Sequence, residues 1–227
     1  MDDDRDTQVA AVAALAEPSR RRLYDHVVRQ PAPVSRDEAA AAVDLPRATV
    51  AFHLDRLVAD GLLDVVFERR TGRTGPGAGR PSKLYRRADR AVAVSLPERS
   101  YDLAGDLLAA ALTEAEGSGE PPRVVLERRA HERGRALGAD VGPGGGRAAA
   151  LRVLEDNGFE PRPQDGGIAL ANCPFHRLAR DHTELVCGMN LRLIGGVLDG
   201  VGSAGLVARL LPTPGMCCVR LEEASAS

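Results

Sequence analysis

All four cysteines of the 227-residue chain fall in its last quarter, Cys173, Cys187, Cys217 and Cys218, in the pattern C-x13-C-x29-C-C. Thiolates are soft ligands that suit zinc and iron–sulfur clusters. No two of these cysteines are separated by the two to four residues of a zinc knuckle, so any shared site must be assembled from separate elements. A cluster asks only that the fold bring its cysteines together. Two imidazoles, His176 and His182, lie in the same segment. The rival reading is therefore zinc held by Cys173, His176, Cys187 and one of the terminal pair. The plainest alternative buries each thiol singly as a small hydrophobe. Cys217 and Cys218 are adjacent and point to opposite faces of a regular strand, so both reach one site only if the strand bends. A nucleophilic Cys173 with His176 or His182 as base would lack a third orienting group, and an enzyme is not expected.

The elements that must position these thiols can be read from periodicity. Phe159 to Arg162 and Gly167 to Asn172 form a short hairpin pattern that leads into Cys173-Pro-Phe-His176. Thr183 to Leu198 is expected to be a helix with Leu185, Val186, Met189, Leu193 and Val197 on one side and Cys187 near its start. Gly215 to Leu221 reads as a closing strand. Upstream, Pro97 to Ala115 carries Leu103, Leu107, Leu108, Ala111 and Ala115 as the stripe of a long helix, expected to form a dimer contact, with packing on its own domain as the alternative. Helices follow from Pro122 to about Leu137 and from Arg147 to Asn157, with the glycine-rich run at 142–146 read as a linker.

The other half of the chain has different chemistry. Residues 7–90 hold 15 Arg and Lys against 10 Asp and Glu, whereas residues 91–227 hold 14 against 18. The net charge of −2 hides this division. Val9, Val12 and Ala16 share a helical face, and Pro18 suits the first turn of a second helix with Leu23, Tyr24 and Val27 inward. Ser35-Arg-Asp-Glu38 is a capping box opening a third helix that runs to about Val43. After Asp44-Leu45-Pro46 a fourth helix runs to about Asp60, stopped by Gly61. Val50, Leu54 and Leu57 form its core stripe. Its opposite face carries Ala48, Thr49, Phe52 and Arg56, with Arg47 near the start and no carboxylate among them. Such an end can enter a DNA major groove. Phe52 is expected to meet a thymine methyl or to pack under the following hairpin, and His53 to contact phosphate or to be partly buried.

Two extended runs, Leu62 to Phe67 and Lys83 to Arg87, flank a Gly-, Arg- and Pro-rich tip. Eight basic residues against three acidic ones between Asp64 and Arg90 make that hairpin a candidate wing, with Arg73, Arg80 and Lys83 facing phosphate or a minor groove. No Gly-Lys-Ser/Thr follows the glycines, which excludes a Walker-type phosphate loop.

With 44% hydrophobic and 27% charged residues, wholesale disorder is excluded. Seven aromatics and no tryptophan leave Leu, Val and Ala to build the core, which favours helices. The opening MDDDRD offers no secretory signal, so a cytoplasmic location is expected. The stretch from Leu191 to Leu211 contains Asp199, Arg209 and five glycines, and no membrane segment is expected.

The run from Ala14 to Arg87, with "LAEPSRRRLYDHV", "RATVAFHLDRLVADGLL" and "GRPSKLYRR", resembles the winged helix-turn-helix domain of ArsR- and DeoR-like bacterial repressors. Metal sites on the recognition helix of ArsR-type proteins use cysteines, and this helix has none. "CPFHRLARDHTELVCGMNLRLIGG" with "GMCCVRL" behind such a domain resembles the SufR-like group of iron–sulfur-dependent repressors. That resemblance implies a homodimeric repressor carrying a [4Fe–4S] cluster on Cys173, Cys187 and one or both of Cys217 and Cys218. The expected architecture is mainly α with small β elements (α+β): a DNA-binding domain at 7–90, a linking helix at 97–117 and an α/β cysteine-containing sensor domain at 121–221. Double-stranded DNA with a palindromic operator is the expected partner, contacted by Ser35, Arg47, Ala48, Thr49, Phe52, His53, Arg56, Arg73, Arg80 and Lys83.

Overall fold

The computed structural model describes residues 2–69, 81–142, 145–164, 166–202 and 205–224. The chain divides into two units, Met1–Val94 and Ser95–Ser227. The first holds α1 (Asp2–Ala14), α2 (Pro18–Val28), β1 (Val34–Ser35), α3 (Arg36–Val43), α4 (Arg47–Ala59), β2 (Leu63–Glu68) and β3 (Ser82–Arg87). Glu17 opens α2 by accepting the amides of Ser19 at 3.0 Å and Arg20 at 2.6 Å. Those bonds hold its carboxyl below the ordinary value. The capping box is formed: the Ser35 hydroxyl accepts from the Glu38 amide at 3.2 Å, and Glu38 accepts from the Ser35 amide at 2.8 Å. Asp44 then turns the chain in the left-handed region at φ 53°, which Asp tolerates better than most residues. Arg22 donates to the Val43 carbonyl at 2.6 Å and so ties α2 to the end of α3.

Leu23, Val27, Val50, Leu54 and Leu57 meet in one apolar core with Leu62 and Tyr85. An antiparallel sheet in the order β1-β3-β2 covers it, with Val34 opposite Tyr85 and Leu63 opposite Arg87. β1 is only two residues long, too short to leave an alternating pattern in the sequence.

The second unit contains α5 (Tyr101–Ser118), α6 (Pro122–Ala139), α7 (Gly146–Asp156), β4 (Pro161–Gln164), β5 (Gly167–Leu170), α8 (His176–Asp181), α9 (Thr183–Val201), β6 (Leu206–Leu210) and β7 (Val219–Glu223). Its strands form an antiparallel sheet in the order β4-β5-β7-β6. Helices α6 and α9 approach closely through four glycines. A Cβ at Gly134 would collide with the Leu193 carbonyl oxygen, and one at Gly196 with that of His131. At Gly138 it would lie 2.5 Å from the Val197 oxygen, and Gly200 meets the backbone of Arg135 and Gly138 in the same way. Backbone packs on backbone along this seam.

The stripe assigned from sequence to a dimer contact is used within the unit. The helix starts at Tyr101 and not at Pro97, and its Ala104, Leu107, Ala111 and Ala115 are buried in the core formed with α6, α7 and α9. A long apolar face needs cover, and α6 supplies it from the same chain. Among the described residues no helix is long and apolar enough to cross a membrane.

Candidate functional site

In the first unit α4 presents its outward face as the periodicity predicts. Arg47, Ala48 and Arg56 are exposed, Thr49 is half-exposed and Phe52 is 67% exposed. Among the described residues the ring partner of Phe52 is His53, edge-on at 5.5 Å. Exposed Phe67 on β2 adds a second aromatic that the sequence reading passed over. The first turn of α4 has Pro46 at its N-cap and no side-chain cap, so its leading amides retain donors for an anion. By contrast, Ser35 has its hydroxyl engaged as the cap of α3. His53 lies inward at 9% exposure, with Nε2 3.6 Å from Glu17. Arg73 and Arg80 lie outside the described residues.

Each described cation of this face is held by a carboxylate. Arg47 pairs with Asp37, Arg56 with Asp60 at 2.8 Å, and Lys83 with Asp55 at 2.6 Å. Asp55 also accepts from the Tyr85 hydroxyl at 3.1 Å. The Lys83 bond keeps the Asp55 carboxyl below its ordinary value and raises the ammonium. Arg56 and Asp60 are a turn apart on one helix, whereas Asp37 and Asp55 lie 10 and 28 residues from their cations and meet them only in the fold.

In the second unit the four thiols come from three places. Cys173 precedes α8 in a turn whose carbonyl accepts from the His176 amide at 3.0 Å. Cys187 is in the second turn of α9. Cys217 and Cys218 lie just before β7 in a bend and not in a regular strand. This removes the obstacle of opposite faces: Cys217 acts on the Cys173 thiol and Cys218 on the Cys187 thiol. The charges of Cys173 and Cys187, and of Cys217 and Cys218, also act on each other, which links the two pairs. Cys173, Cys187 and Cys217 are buried and Cys218 is half-buried.

The Cys173 and Cys217 thiols are shifted in opposite directions. The hydrogen bond from Cys217, the Phe175 amide and the Arg99 charge lower the Cys173 thiol, while the same hydrogen bond and burial push Cys217 up. Burial, with Cys218 beside it, pushes Cys187 up to about 12.

The turn at Cys173 is clamped. Arg99 donates to the Cys173 carbonyl at 2.9 Å and to the Asn172 side chain, and the Asn172 amide donates to the carbonyls of Gly158 at 2.6 Å and Glu98 at 3.0 Å. On the other side a cavity of about 350 Å³ reaches Cys187 and Cys218 between Arg123, Glu127 and Arg192. His176 and His182 are exposed, and His176 does not join the thiols. Among the described residues no three His, Cys, Asp or Glu side chains are gathered tightly enough to hold one metal ion.

A family model described as a helix-turn-helix domain matches residues 15–66, the stretch from the end of α1 into β2. Comparison with curated proteins and with solved structures gives no match. The N-terminal unit therefore carries a helix-turn-helix domain, the kind of domain that marks DNA-binding transcriptional regulators.

Proposed function

We propose that the chain is a homodimeric repressor that binds a palindromic operator through α4 and the β2–β3 wing, and that its second unit holds a [4Fe–4S] cluster on Cys173, Cys187, Cys217 and Cys218. The observation that carries the cluster is the gathering of every cysteine of the chain, from a turn, a helix and a pre-strand bend, into two interacting pairs. Singly buried cysteines would not need to meet. Zinc fits less well: Zn–S bonds of ~2.3 Å in a tetrahedron bring sulfurs within roughly 3.8 Å of one another. Among the described residues the side chains form no such set, and the exposed His176 would have to leave solvent to complete it.

Bound there, the cluster would supply one-electron redox chemistry and sensitivity to oxidants. The chain supplies the rest. Cys217, then the Phe175 amide and the Arg99 charge, favour thiolate at Cys173, and Asn172 fixes the turn. The cavity beside Arg123 and Arg192 gives small solutes a route to Cys187 and Cys218. Ligation would tie together three segments that come from separate elements, and a ligand shifts DNA affinity only through such a difference between states. With the α5 stripe buried, the exposed Val9 and Val12 of α1 are the residues we assign to dimer contact. Cys173→Ser and Cys187→Ser should each remove bound iron, inorganic sulfide and visible absorption from anaerobically purified protein. Full retention of iron and sulfide in both variants would overturn the ligand assignment.

A further inference from the structure

Asn190 stands on α9 three residues after Cys187 and is 1% exposed. Its Nδ2 donates a hydrogen bond to Cys217 Sγ at 3.2 Å, and its Oδ1 has no partner among the described residues. The surroundings are apolar: Val186, Met189, Leu193 and Ile194 of the same helix are all buried. A leucine would fill such a position without a polar atom to satisfy, whereas a half-satisfied buried amide destabilises the fold. The amide therefore has a use that packing does not explain, and the one group it addresses is a sulfur of the thiol set.

We propose that Asn190 is a positioning residue for the bound cluster: its N–H fixes the Cys217 side chain and sets the reduction potential of the group that Cys217 helps to hold. The inference rests on the cluster reading above and adds a residue to it. An N–H donor to a ligand sulfur stabilises the more negatively charged, reduced state, so its removal lowers the potential. Asn suits the position better than the acids. A carboxylate would offer only acceptors to a thiolate and would place like charge against it.

The test uses the full chain, loaded anaerobically with iron and sulfide, as wild type, Asn190→Leu and Asn190→Ser. Leucine removes the donor at similar volume, and serine returns an O–H donor on a shorter arm. The Leu variant should carry the wild-type iron and sulfide content. Its one-electron reduction should be about tenfold less favourable in a dye-mediated titration, a downward shift of about 59 mV. The Ser variant should recover part of that shift. Cluster-free Asn190→Leu should melt no lower than cluster-free wild type, since the change removes an unsatisfied buried group. If the Leu variant fails to fold, the Ser variant decides alone by lying below wild type. A loaded variant with the wild-type potential overturns the role of Asn190 and leaves the cluster standing. A wild type that takes up neither iron nor sulfide overturns the cluster reading and this inference with it.

Discussion

Gly195 and Gly196 are neighbours in α9, yet alanine should act in opposite directions at the two positions. A Cβ at Gly195 meets nothing within 4 Å. Replacing a helix-interior glycine by alanine stabilises by about 0.8–1 kcal/mol through backbone entropy alone. At Gly196 the same gain applies, but the new methyl lands on the His131 carbonyl oxygen and 2.9 Å from the Arg135 nitrogen. Both obstacles are backbone of α6 and cannot rotate aside, so the two helices must separate. Overpacking of this kind costs about 1–3 kcal/mol, and the rigid seam puts it at the upper end. The net expectation is about 2 kcal/mol of destabilisation for Gly196→Ala. At roughly 4 °C per kcal/mol, Tm of the second unit falls by about 8 °C, against a rise of about 4 °C for Gly195→Ala. Circular dichroism melts of the cluster-free protein in reducing buffer measure both. If the two variants melt together, the close approach of α6 and α9 is wrong, and with it the helix spacing that places Cys187 and Asn190.

At the DNA face, Lys83→Ala should weaken binding to any sequence and flatten the salt slope by about 0.9. Asp55→Asn should strengthen it about 1.4- to fivefold, because an exposed pair that must open on binding holds about 0.2–1 kcal/mol. An Asp55→Asn affinity below wild type would show that the Asp55 contact orders the wing instead of restraining Lys83. The same pair has a pH signature. The Asp55 carboxyl is lowered in the folded chain, so its contribution is complete above its unfolded value near pH 4 and is lost as pH falls through the depressed one. Urea titrations from pH 6 to 2 should show a slightly shallower acid limb for Asp55→Asn, and an unchanged limb would refute that assignment. Leu107→Glu should unfold the second unit at a cost of several kcal/mol, since it buries an unpaired carboxylate in a side chain 6% exposed. Val12→Glu should leave melting unchanged and shift sedimentation from dimer to monomer; a dimer that survives it would move the interface off α1.

Much of the first unit was legible because its signals are local. Pro18, the Ser35 to Glu38 box and the Val50, Leu54, Leu57 stripe each act within a turn or two of helix. The outward face of α4 follows from the same periodicity. The second unit was read less fully. The α6–α9 seam depends on Gly134, Gly138, Gly196 and Gly200 facing backbone across the fold, and glycine carries no hydrophobic signal. β6 lay hidden in a region read only as an apolar stretch, and α8 is a six-residue helix with no buried face. The α5 stripe was correctly read as apolar, and α6, α7 and α9 of the same chain cover its Ala104, Leu107, Ala111 and Ala115, since periodicity states that a face is buried and not by which neighbour. The thiols could be nominated from residue type, while their pairing required the bend at Cys217 and Cys218. Asn190 gave no signal at all: within an apolar helix its importance lies in a sulfur 27 residues away.

The coupling of the two units is the central claim, and operator affinity measures it most directly. Wild-type protein is prepared anaerobically with its cluster and, separately, cluster-free with reduced thiols; both are titrated into a palindromic operator selected from random DNA at one fixed salt concentration. The account predicts that the two forms differ at least tenfold on the operator yet bind unrelated DNA equally, because the described cations of the first unit are the same in both. Equal operator affinity for the two forms would contradict it and leave any bound cluster a structural element.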